Sequence, residues 1–271
     1  MTTDGGCILN SIEHMDFSAK VRWRMRCDRN PLFLILQDKY SVREFARAKE
    51  VPTAKLLFVT DKPEEIPFDY LPPHYFIKAT HGSGWNILCF NKEHYYYGHG
   101  DNFLNKNGSL LIFESASNYL ISKYRVIDIC KKWLKTTYSI KEWAYQFINP
   151  KIIVEELLFS PFENILFNYS LFTFNGQVKA IRLDSVPFMK YLDGFLFDTN
   201  WNVMAPVKEK GLSRSFLPQK PDRLGELLDM AGRLGENIDF VRVDLYDTSR
   251  GIVLGEMTIY PDAGAVDSPV S

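Results

Sequence analysis

The chain has 271 residues, 46% hydrophobic and 24% charged, the balance of a globular protein rather than a disordered or fibrous one. A formal net charge of −1 gives no electrostatic case for nucleic acid or an anionic membrane surface. No apolar run approaches the roughly 20 residues of a membrane helix, and Met1 to Asn10 lacks the basic and apolar parts of a secretory signal. Cys7, Cys27, Cys89 and Cys130 form no Cys-x-x-Cys pair. They indicate neither zinc nor a disulfide framework, so reduced thiols in a cytoplasmic protein are the expectation.

In chain order, Lys20, Arg22, Arg24, Arg26 and Arg29 recur mostly every second residue, which does not place them on one helix face and reads as a solvated segment. Tyr40 to Glu50 has a helical pattern, with Val42, Phe45, Ala46 and Lys49 on one side, and Val51-Pro52 ends it. Lys55 to Thr60 is a short strand. Pro63, Pro67, Pro72 and Pro73 then make an irregular connection, which sets a subdomain boundary near residue 69. Ser115 to Tyr138 is the longest helical candidate, and its stripe of Leu120, Tyr124, Ile127, Cys130 and Leu134 reads as core. Strands dominate from Lys151 onward. Phe167–Phe174 and Val178–Leu183 flank Asn175-Gly176, a strong hairpin signal. Asp222 to Glu236 is a second amphipathic helix, apolar at Leu224, Leu227, Leu228, Ala231 and Leu234. The sum is an α+β chain in three parts, residues 1–69, 70–150 and 151–271.

Chemistry concentrates in three places. Val241-Arg242-Val243-Asp244 and Gly255-Glu256-Met257-Thr258 read as strands joined by a turn between Asp247 and Gly251. Residues two apart on a strand share a face, so this hairpin brings two carboxylates and a guanidinium to one surface. Two carboxylates can hold Mg²⁺, which takes its other oxygens from water and phosphate, and an arginine can hold a phosphate bidentately. Lys78 ends an apolar strand and precedes His81-Gly82-Ser83-Gly84-Trp85-Asn86. Glycines let backbone N–H groups approach an anion and the lysine adds a point charge. Ile152-Ile153-Val154-Glu155-Glu156 is a buried-type strand ending in acids, which need partners: a nucleotide's amino or hydroxyl groups, or a salt bridge.

These pieces, with Asp38-Lys39-Tyr40, Val42-Arg43-Glu44, Glu142-Trp143-Ala144-Tyr145 and Phe174-Asn175-Gly176, resemble in order and spacing the ATP-grasp superfamily, and within it the TupA-like proteins of polysaccharide and teichuronopeptide synthesis. The resemblance implies two α+β lobes clasping ATP. Residues 1–69 would be a reduced pre-grasp region, 70–150 a small lobe with a glycine-rich lid, and 151–271 a large lobe with the metal hairpin. It further implies that Lys39 and Lys78 contact phosphates under a lid that includes His81, Gly82, Ser83, Gly84 and Trp85. Glu155, Glu156 and Leu157 would form the adenine hinge, Glu163 would hold the ribose, and Arg242 the γ-phosphate. Asp244, Glu256 and Thr258 would stand at the Mg²⁺ ligand positions. Thr258 replaces the asparagine of many relatives. Ser170 replaces a lysine, a contact that Lys179 or Arg182 could supply. Arg182, Asp184, Lys190 and Arg214 are candidates for the acceptor side.

The activity so implied is ATP- and Mg²⁺-dependent joining of a carboxylate, on an acidic sugar or amino acid, to an amine through an acyl phosphate. The partners are small carboxylate and amine substrates, possibly glycan-linked. The alternatives are a small-molecule or sugar kinase and a nucleotide-binding protein without turnover.

Overall fold

A computed structural model describes residues 14–96, 119–159, 166–185, 195–206 and 218–265. Two six-stranded sheets, each antiparallel at every junction, carry the fold. The first has the order β1-β6-β2-β3-β4-β5, from β1 (Leu56–Thr60), β2 (Tyr75–Ala79), β3 (Asn86–Phe90), β4 (Glu93–Tyr95), β5 (Leu120–Ile121) and β6 (Ile152–Glu156). The second has the order β10-β9-β8-β7-β11-β12, from β7 (Phe167–Phe174), β8 (Gln177–Ser185), β9 (Phe195–Phe197), β10 (Val203–Pro206), β11 (Val241–Thr248) and β12 (Gly251–Thr258). The first sheet therefore draws strands from all three parts of the chain expected from sequence.

Helix α4 (Lys123–Leu134) covers one face of the first sheet. Ser122 caps it, its hydroxyl accepting from the Arg125 amide at 3.3 Å. Its buried side is Val126, Ile129, Cys130 and Trp133, packed on Ile77, Ala79, Ile87, Ile152 and Val154. The stripe read from sequence was out of register: Leu120 belongs to β5, and Tyr124 is 72% exposed. The Ser122 cap starts the helix later than the periodicity suggested. Alternation along β2 buries Tyr75, Ile77 and Ala79 against α4. Phe76 and Lys78 therefore take the opposite face, which β6 shares through Glu155, the partner of Phe76.

The second sheet packs on α5 (Leu224–Gly235), whose buried Leu224, Leu227, Ala231 and Leu234 match the expected stripe. Each such leucine contributes about 1.5–3 kcal/mol. Asn175 and Gly176, both at positive φ, close the β7–β8 hairpin. Val241, Val243 and Leu245 of β11 point into this core, which turns Arg242 and Asp244 to the other face.

Helices α2 (Leu32–Gln37) and α3 (Val42–Ala48) fill the same core with Phe33, Leu36, Val42 and Ala46. α1 (Phe17–Cys27), capped by Asp16, carries most of the basic run, with Lys20, Arg22, Arg26 and Arg29 exposed as expected and Arg24 the exception. Arg24 is only 6% exposed and donates to the carbonyl of Phe240 at 2.8 Å and to Asp239. Arg22 donates to the carbonyl of Gly264. Arg24 thereby fastens α1 to the segment that leads into β11, and Arg22, though exposed, ties it to the turn at Gly264. Cys89 and Cys130 are buried thiols, but Cys27 is disulfide-bonded, against expectation. Separation along the chain does not report proximity in the fold. Among the described residues no helix is long and apolar enough to cross a membrane.

Candidate active site

The hairpin β11–β12 forms the floor of the site. Asp244 lies directly opposite Glu256, and Arg242 directly opposite Thr258, so all four side chains share one face. The turn is shorter than expected from sequence, because the strands run on to Thr248 and Gly251. Gly255 is the extra residue where the register shifts, and its bare backbone lies against the Tyr246 ring, which a β-carbon would strike.

Arg242 grips both oxygens of Asp244, through Nε at 2.8 Å and Nη2 at 2.7 Å, and Nη2 also donates to the Thr258 hydroxyl at 3.2 Å. Its Nη1 stands outside these bonds. Ser170 donates to Asp244 Oδ1 at 2.8 Å. Asp244 is 4% exposed, so a pair of this kind must be fully bonded to be tolerated. Burial opposes the charge on Arg242, but Asp244, with Glu256 and Asp262 behind it, holds its pKa above the ordinary value.

The opposite wall comes from separate stretches of chain. Asp38 organises the turn before α3, accepting from the Tyr40 amide at 2.9 Å and the Ser41 hydroxyl at 2.6 Å. Lys39 leaves this turn to bridge the walls, donating to Glu256 at 2.7 Å and to the carbonyl of Gly82 at 2.8 Å. Burial works against the charge on Glu256, but Lys39, followed by Arg242 and Lys78, keeps its pKa below the carboxylate norm. Lys78 and Arg43 both hold Glu155. Glu156 accepts from the Lys55 amide at 2.7 Å and from Arg250. Beside it, Leu157 lines a cavity of about 440 Å³ with Pro73, His74, Thr248 and Arg250.

A family model for TupA-like ATP-grasp proteins matches residues 19–97 and 102–270. The chain belongs to this family. No curated protein matches it in sequence. Among solved structures it is similar to N5-carboxyaminoimidazole synthetase from Staphylococcus aureus complexed with ADP, at TM-score 0.44 and 9% identity over 83% of this chain and 45% of that one. It is also similar to D-alanine–D-alanine ligase from Bacillus anthracis complexed with ATP, at TM-score 0.40 and 12% identity over 83% and 54% of the two chains. The chain spans about half the length of these structures. Its assignment to the TupA-like family rests on the family model and takes nothing from them.

In this TupA-like chain the glycine turn is not an open lid. His81 is 2% exposed, its Nε2 lies 3.0 Å from the carbonyl of Trp133, and burial lowers its pKa, which favours the neutral ring. In this structure the buried ring anchors the turn on the Trp133 carbonyl. Trp85 packs between His81, Trp133 and Tyr138. A β-carbon on Gly82 would meet Trp85 at 2.8 Å, so Gly82 is required by close packing. Ser83, hydrogen-bonded by Tyr138, and Gly84, at φ 72°, complete the turn.

Sequence reasoning assigned no role to Arg43, Tyr138, Glu142 or Tyr145. Tyr145 donates to Gln37 at 3.3 Å and packs on Tyr138 with ring centroids 4.9 Å apart. Burial, with Glu256 adding repulsion against Ser139's hydrogen bond, pushes the Glu142 carboxyl up to about 7. The signal was the Glu142-Trp143-Ala144-Tyr145 stretch, but its chemistry is not local. Of the acceptor candidates, Arg182 lies opposite Ser170. Lys179 is exposed and donates to Gln177 at 2.8 Å. Glu163, Lys190 and Arg214 lie outside the described residues.

Mg²⁺ takes one or two protein carboxylates and completes its shell with water and phosphate oxygens. Asp244 and Glu256, opposed on one buried face, fit that need. Among the described residues no group of three or more His, Cys, Asp or Glu could hold a metal by protein ligands alone. The Thr258 hydroxyl accepts from Arg242 at 3.2 Å on the same face as this pair.

Proposed function

We propose that this chain is an ATP- and Mg²⁺-dependent ligase that activates a carboxylate as an acyl phosphate and passes it to an amine. The observation that carries the reading is the Asp244–Glu256 pair, braced by Arg242 below and faced by Lys39 and Lys78 across the cleft. Bound Mg²⁺ would neutralise phosphate charge. Lys39 and Lys78 sit where they can exchange carboxylate partners for phosphate oxygens, and the cavity beside Glu156 and Leu157 is the place proposed for adenine. Asp244 fixes Arg242 by two bonds and leaves Nη1 to meet the transferring phosphoryl group. No nucleophile of the protein's own is required. A developing negative charge met by positioned cations is the main demand of phosphoryl transfer, and Arg242, Lys39 and Lys78 are the cations this arrangement offers for it.

The acceptor class, an acidic sugar or amino acid of cell-surface polysaccharide, and a cytoplasmic place of work are carried by the family's setting. The test is to incubate the chain with MgATP, hydroxylamine as surrogate amine, and glucuronate or L-glutamate as surrogate carboxylate. Hydroxamate formed together with ADP is the expected result. A phosphate ester without hydroxamate would make the protein a kinase and contradict the ligase reading.

A further inference from the structure

One row of side chains crosses the second sheet. Arg182 on β8 is the direct partner of Ser170, Ser170 of Asp244, and Asp244 of Glu256. Direct partners in antiparallel strands point to the same side, so Arg182 shares a face with the metal hairpin, and the 2.8 Å Ser170–Asp244 bond follows from that placement. With strands about 4.8 Å apart, the Arg182 backbone lies about 10 Å from that of Asp244. Its guanidinium lies 5.9 Å from the centre of the Phe172 ring, and Phe172 is the direct partner of Arg242. Arg182 is thus the cation at the far end of the surface that Arg242 begins.

The guanidinium is met by Asp262 at 3.3 Å. Asp262 is placed by an unusual turn in which Asp262, Ala263 and Gly264 follow one another at φ 48°, 51° and 71°. Two non-glycine residues in the left-handed region are a source of backbone strain. The Arg182–Asp262 pair is 21% and 49% exposed, and ion pairs of that kind add little stability. The pair cannot offset the turn that makes it. α1 holds the turn instead, with Arg22 bonded to the Gly264 carbonyl and Ser18 so close that a β-carbon on Gly264 would meet its carbonyl at 3.0 Å. Asp262 also favours the charge on Arg242, after Asp244 and Glu256. A strained backbone, held from outside, keeps adjacent opposite charges beside the face that carries the metal hairpin.

We propose that Arg182 and Asp262 form the subsite for the amine-side substrate, and that this substrate is a zwitterion of the α-amino acid type, with its carboxylate on Arg182 and its ammonium on Asp262. The inference rests on the ligase reading and names the substrate class of the same site. An ion pair is the natural complement of a zwitterion, because each partner exchanges one opposite charge for another and neither is left unpaired.

The experiment screens the twenty standard amino acids for binding by ligand-observed NMR, with Mg²⁺ and a non-hydrolysable ATP analogue. Each binder is then compared with its deaminated and its decarboxylated analogue. At least one amino acid should bind, with both analogues at least tenfold weaker. In Arg182→Gln the penalty for decarboxylation should vanish, and in Asp262→Asn the penalty for deamination. A pair of purely structural value would leave that selectivity unchanged in both variants, which would overturn the proposal. So would equal binding of zwitterion and analogues by the unsubstituted chain, a result that does not depend on either variant folding, or failure of all twenty to bind. ATP affinity of the unsubstituted chain, measured separately, shows whether the ligase reading has failed instead.

Discussion

The two walls of the cleft are built in opposite ways. The hairpin wall takes Arg242, Asp244, Glu256 and Thr258 from one stretch of seventeen residues, Arg242 to Thr258, whose register is set by strand pairing alone. The facing wall takes Lys39 and Arg43 from the α2–α3 segment, Lys78 and Gly82 from β2 and the turn after it, and Glu155 from β6, which inserts between β1 and β2. The first wall is local chemistry on a rigid pair of strands. The second is an assembly, and each cation in it is held by a carboxylate or carbonyl from a different part of the chain. Damage to the hairpin should therefore appear first as lost stability, and damage to the facing wall first as lost ligand affinity.

The sharpest way to break this contrast is Arg242→Leu. It strands Asp244 in a site that is 4% exposed, and removing one partner of a buried pair costs about 3–5 kcal/mol. Chemical denaturation should show that loss, and a change under about 1 kcal/mol would mean the hairpin is not stabilised by its charges. Gly255→Ala comes next. Its β-carbon meets the Tyr246 ring, and overpacking of this kind costs about 1–3 kcal/mol. The combination with Tyr246→Ala should recover most of the loss in a double-mutant cycle.

Glu142→Gln tests the facing wall by pH. The folded carboxyl titrates near 7 against a reference of 4.5, so the folded state binds the proton more tightly. Stability then falls as pH rises from about 4.5 to about 7 and levels off above that. The amide variant should escape this fall and gain about 1–2 kcal/mol at pH 8 relative to pH 4, a figure reduced for partial exposure. Parallel stability–pH curves would refute the assignment. A smaller loss than for Arg242→Leu, about 1 kcal/mol, is expected from Lys39→Met, because Glu256 is 27% exposed and keeps Arg242 and Lys78 as neighbouring cations; it should be accompanied by at least a tenfold loss of MgATP affinity in calorimetry. The reverse order of effects would erase the distinction between the walls.

What the sequence made legible follows the same line. Alternation placed Arg242, Asp244, Glu256 and Thr258 on one face, and Asn175-Gly176 marked its hairpin, because a strand's period and a turn's chemistry are local. Leu224, Leu227, Ala231 and Leu234 were readable for the same reason. The burial of His81 was not legible, because glycines announce a turn without saying which neighbours cover it, and Trp133, its partner, is 52 residues away. Arg43 on α3 and Glu155 on β6 lie 112 residues apart and meet through tertiary packing that no local signal encodes. Asp262 went unread although Pro261 and Gly264 bracket it as turn residues. Its importance lies in the partner, Arg182, two strands beyond the metal hairpin.

The most direct test of the central claim is calorimetry of ATP binding, with and without Mg²⁺, on the unsubstituted chain and on Asp244→Asn. The account predicts Mg²⁺-dependent binding that the substitution abolishes, while the melting transition shows the variant still folded. ATP binding that ignores both Mg²⁺ and Asp244, or no binding at all, would contradict it and leave the Asp244–Glu256 pair as a structural feature only.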